Sequence, residues 1–87
     1  MPKFTYPIVF VMNDNTGKYN GYIPDLGLFS YGETLEEVYD YAEAQIHTFF
    51  IYAKKHDLEY NASSTLEEIT AKWKGYKVSL LTANIPD

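Results

Sequence analysis

Few residues in this chain combine a type and a spacing that could do chemistry. Asp14-Asn15-Thr16-Gly17 puts a carboxylate in a loop, yet all four residues are what a hairpin turn requires. His47 and His56 stand nine positions apart with no carboxylate at metal-ligand spacing, which reads as two surface histidines rather than a zinc site. Asn61-Ala62-Ser63 has the form of a glycosylation acceptor, but that tripeptide is common by chance and nothing else in the chain points to secretion. Asp25 and Glu33 flank one short strand and could share a divalent ion only if the fold drew the strand ends together. Metal-assisted hydrolysis needs several converging carboxylates, so the expectation is a protein that is not an enzyme and holds no metal or cofactor.

Composition narrows the remaining classes. The 87 residues suit one domain, expected over 1–87, with room for a modest core. The absence of cysteine removes disulfides and thiolate metal sites, and leaves stability to packing. No run of about 18 apolar residues occurs and the first residues lack a signal-peptide pattern, so the chain reads as cytoplasmic, with no membrane partner. A formal net charge of −5 with only seven Lys and Arg argues against direct nucleic-acid binding and suits a basic protein partner. Nine tyrosines fit either a protein interface or a tyrosine-lined sheet, because each couples a large apolar face to a polar tip.

The elements that must position these residues turn on the stretch Ile23 to Tyr41. Pro24 cannot donate to a β-ladder and Gly27 can take a positive φ, so Pro-Asp-Leu-Gly ends one strand and turns into the next, Leu28 to Tyr31. Gly32 breaks that strand, and Thr34 with Glu37 has the capping-box spacing that starts a helix near Leu35 and carries it to about His56. Before this corner, Phe4 to Met12 forms a first strand with Tyr6, Ile8, Phe10 and Met12 on one face and Pro7, Val9 and Val11 on the other. Asn13 to Gly17 makes a hairpin into a second strand from Lys18, where Gly21 marks a bulge or a close backbone approach.

Within the long helix, Leu35, Val38, Tyr39, Ala42, Ile46, Phe49, Phe50 and Ala53 recur at three- and four-residue spacings as a core stripe. Glu36, Glu37 and Asp40 at its start and Lys54, Lys55 and His56 at its end match the helix dipole. A second row, Tyr41, Gln45, Thr48 and Tyr52, leaves two tyrosines half exposed and is a candidate contact face. Beyond a polar loop, Ser64 and Glu67 repeat the capping spacing before a short helix, and a last strand alternates from Tyr76 to Ala83. The class predicted is α+β: an antiparallel three-stranded meander plus a C-terminal strand, with one long and one short helix on one face, in the order β-β-β-α-α-β.

Three segments carry a family resemblance. Tyr22-Ile23-Pro24-Asp25-Leu26-Gly27 followed by Gly32-Glu33-Thr34-Leu35-Glu36-Glu37-Val38 resembles the HicB antitoxin pattern, roughly Tyr-x-x-x-Phe-Pro-Asp-Leu-Pro-Gly-Cys, a short strand, then Gly-Asp-Thr-x-Glu-Glu-Ala. The opening strand, Tyr6-Pro7-Ile8-Val9-Phe10, is similar to the Tyr-Pro-Val-Val-Phe start of such proteins. The likeness departs from the pattern at Ile23 for Phe, Leu28 for Cys with the preceding Pro missing, and Glu33 for Asp. It implies a partial RNase H-like fold that binds and occludes a small basic mRNA-cleaving toxin of the HicA family. Many HicB-like proteins continue into a DNA-binding domain; none is expected in residues 1–87, so the resemblance does not extend to operator binding and autoregulation by this chain alone.

On this reading the partner-binding residues are Asp25, Glu33, Glu36 and Asp40 around the corner, with Tyr41 and Tyr52 on the helix row. The acidic group would steer a basic partner, and the tyrosines would supply contact area. Association of the chain with itself as a homodimer or higher homo-oligomer, through a free strand edge or the tyrosine row, is also expected. The alternative function is a stand-alone oligomeric HicB-like module with no toxin.

Overall fold

The computed structural model describes residues 3–60 and 62–84; Asn61, the acceptor of the possible sequon, lies outside them. Along the chain run β1 (Lys3–Met12), β2 (Tyr19–Ile23), β3 (Leu28–Gly32), α1 (Leu35–His56), α2 (Leu66–Lys72) and β4 (Lys77–Asn84). This is the α+β order read from the sequence. The four strands form one antiparallel sheet ordered β3-β2-β1-β4, so β1 and β2 are central and β3 and β4 carry the edges. Between β1 and β2 the Asn13 N–H donates to the Lys18 carbonyl at 2.7 Å, while Asn13 Oδ1 accepts from the Asn15 N–H at 3.0 Å. The Asp14 loop is thus spent on a hairpin turn.

Antiparallel pairing puts directly opposed residues on one face, which fixes what each face carries. Tyr6, Ile8 and Phe10 of β1 share a face with Leu81 and Ala83 of β4 and Ile23 of β2, and α1 covers it with Val38, Ala42, Ile46 and Phe50. Gly21 is the close-approach position on this face: a Cβ there would meet Ser30 Oγ at 2.5 Å and Val38 Cγ1 at 2.6 Å. The missing side chain lets α1 lie down on β2. The expected helix stripe is in place, with its centre line through Phe50 rather than Phe49. Phe50 is buried and stacks on Phe4 at 3.9 Å with the Tyr60 ring edge-on at 4.7 Å, whereas Phe49 is half-buried at the margin.

The short helix departs from the single-face arrangement read from the sequence. Tyr22 is opposed to Val9 and Phe29, on the face away from α1, and Trp73, which caps α2, meets its ring at 5.6 Å. α2 therefore lies against β4 over the second face, where Pro7 and Val9 are also buried. The physical reason is in β1, whose residues 6–10 are all buried and so need cover on both sides. The capping box of α2 is Thr65 with Glu68, one position later than the Ser64–Glu67 pair read from the sequence. Ser64 is engaged elsewhere: its N–H and hydroxyl both donate to the Asp25 carboxylate, at 2.8 and 2.7 Å.

Candidate functional site

The corner between the end of β3 and the start of α1 is built by local bonding. Thr34 is extended, and its Oγ1 accepts the Glu37 N–H at 3.1 Å, satisfying one of the free donors of the first helical turn. Glu37 does not return this bond to Thr34 as a strict capping box would. Its Oε2 accepts the Glu33 N–H at 2.8 Å instead, one residue further back. A carboxylate is thereby held in a fixed place beside the strand end. Lys18, arriving from the β1–β2 hairpin, brings its Nζ to 3.9 Å from Glu33 Oε1, with both side chains well exposed. Such a pair is worth ~1 kcal/mol or less.

An open cleft of about 520 Å³ lies at this corner, lined by Lys18, Tyr19, Tyr31, Glu33, Glu37 and Tyr41 among others. Tyr31 of β3 and Tyr41 of α1 bring their ring centroids to 5.1 Å at a 39° tilt, and they stay 65% and 41% exposed. Two half-exposed phenol rings beside two carboxylates suit a cationic group, since ring faces and carboxylates both attract positive charge. Glu36 and Asp40 are exposed on the same first turns of α1.

The structure therefore gathers Glu33, Glu36, Asp40 and Tyr41 at one end of the molecule, and it sets two of the sequence-derived candidates apart. Asp25 lies beyond the other end of β3, half-buried, where the Ser64 bonds tether the β2–β3 connection to the entry of α2. Five-residue β3 separates it from Glu33 by on the order of 15 Å, so the two do not form the shared ion site considered above. No group of three or more metal-ligating side chains occurs among the described residues. Tyr52 stands in the same helical row as Tyr41 but about 16 Å along the axis, and its ring packs on His56 at 4.2 Å. Tyr31 and Lys18 were not candidates from sequence. The alternation Phe29, Tyr31 around buried Ser30 was the available signal, because it turns both aromatic rings away from the core.

A four-stranded antiparallel sheet ordered β3-β2-β1-β4, with a long helix on one face, makes the chain a small α+β domain. Residues 6–85 match the family described as HicB_like antitoxin of bacterial toxin-antitoxin system, and the chain belongs to that family. Among solved structures, the N-terminal domain of the Burkholderia pseudomallei antitoxin HicB is similar with a TM-score of 0.82 at 21% identity, over 94% of this chain and 100% of that one. The longer Burkholderia pseudomallei antitoxin HicB gives a TM-score of 0.77 at 25% identity, over 93% of this chain and 62% of that one. A search of curated proteins returned no match.

Proposed function

We propose that this chain binds and occludes a small basic HicA-like mRNA-cleaving toxin in the bacterial cytoplasm, itself doing no catalysis. The observation that carries the reading is the family match across residues 6–85. The formal charge of −5 and the exposed Glu33, Glu36 and Asp40 support it, because they complement a basic partner. The test is co-expression with a HicA-like toxin. A stable complex that protects mRNA from cleavage supports the reading, and toxin that purifies alone and cleaves at full rate contradicts it.

One observation favours the second reading, a stand-alone oligomeric module. Edge strand β3 carries no charged residue and no proline within Leu28–Gly32, and its Phe29 is 68% exposed. Sedimentation at high micromolar concentration tests the edge pairing: a dimer in the absence of any toxin supports it, and a monomer throughout opposes it. Co-expression with a toxin then decides between the two readings.

A further inference from the structure

We infer that the cleft between Tyr31 and Tyr41 is the seat for an arginine side chain of the bound protein partner; this deepens the toxin-binding reading and rests on it. The argument starts from what each wall offers. The Tyr31 and Tyr41 rings, 5.1 Å apart between centroids, come from a strand and a helix packed on each other, so the backbone places the two rings side by side. A guanidinium stacks on such phenol faces and pairs its fork with a carboxylate, whereas an ammonium does only the second as a point charge. Glu37 is preorganised for that fork, because the Glu33 N–H already fixes one of its carboxylate oxygens at 2.8 Å.

Glu33 supplies the second carboxylate at the rim. At present Lys18 sits 3.9 Å from it, an exposed and weak pair that an incoming guanidinium displaces at little cost. The volume of about 520 Å³ exceeds a single guanidinium, which leaves room for the alkyl stem and the flanking backbone of a partner segment. The occupant that fits all of this is one arginine on a basic protein, and the net charge of −5 favours its approach.

The experiment has two arms on the full chain. In the first, N-acetyl-arginine amide is titrated at low salt and followed by amide and tyrosine-ring NMR shifts, with N-acetyl-norleucine amide as the uncharged control. Saturable shifts confined to Lys18, Tyr31, Glu33, Glu37 and Tyr41, absent with the control, are expected; shifts scattered over the acidic surface or equal for both probes overturn the seat whether or not a toxin binds. In the second arm, affinity for a HicA-like toxin is measured for Tyr31→Leu, Tyr41→Leu, Glu33→Gln, Lys18→Met and Tyr52→Leu, each checked for a native thermal transition.

Tyr31→Leu and Tyr41→Leu should each weaken binding roughly tenfold, Glu33→Gln about threefold, and Tyr52→Leu negligibly, while Lys18→Met should tighten it slightly. Equal affinities across the folded variants overturn the seat and leave the toxin-binding reading standing. A wild-type chain that takes the arginine probe in the cleft but captures no toxin overturns the toxin-binding reading alone.

Discussion

Phe50 shows most plainly how one side chain holds the fold. It is buried, stacks on Phe4 and meets Tyr60 edge-on, so it joins β1, α1 and the loop after α1. Phe50→Ala should cost about 3–5 kcal/mol, since the transfer and cavity contributions add. Phe49→Ala, at the half-buried margin, should cost clearly less. Urea unfolding of both variants checks the order, and a larger loss at Phe49 would move the core line back to the neighbouring residue. Tyr6 gives the second residue-scale expectation. Burial pushes its phenol above the ordinary tyrosine range, and Tyr60 and Asp25 push the same way. The folded state holds this proton more tightly than the unfolded chain, so the contribution is intact below pH ~10 and is lost as pH rises through the folded pKa. Wild type minus Tyr6→Phe stability should therefore fall as pH rises above about 10; a difference that grows with pH there would contradict the assignment.

Among the elements, α1 depends on its ends as well as its stripe. Its C-cap, Asp57, takes a left-handed conformation with φ 52°. An L-residue is strained there, and a carboxylate faces the negative end of the helix dipole. Asp57→Gly should raise stability by ~0.5–1 kcal/mol, read as a higher Tm; a lower Tm would show that the Asp57 side chain makes a compensating contact. The helices also show what local sequence carries. The stripe of α1 was legible because 22 residues repeat one period over six turns. Its neighbour α2 has seven residues and little more than Ile69 and Trp73 to mark a face, too few to say which side of the sheet it covers. Its cap was ambiguous because Ser64-Thr65 precedes Glu67-Glu68, giving two overlapping capping patterns. The choice is made by Asp25, 39 positions away, which takes both Ser64 donors. The candidate site divides in the same way. Glu33, Glu36, Asp40 and Tyr41 were legible as near neighbours in sequence, while Tyr31 and Lys18 join them only through the pairing of β2 with β3 and the packing of β3 against α1.

For the whole molecule, charge and shape act together. The described helices include none long and apolar enough to cross a membrane, and the acidic corner sits exposed at the start of the long helix. Reversing Glu36 and Asp40 to lysine should slow toxin association about tenfold at low salt and flatten its salt dependence, with dissociation little changed. Stopped-flow association at two ionic strengths checks this. Unchanged kinetics in a folded variant would place the contact surface on the Tyr52 end of the row or on a sheet edge. The central claim, that the chain neutralises a HicA-like toxin by occluding it, is tested most directly by titrating the chain into a fixed amount of toxin cleaving mRNA. Cleavage should fall linearly and stop at a fixed stoichiometric equivalence; cleavage undiminished by a large excess of folded chain would contradict the claim.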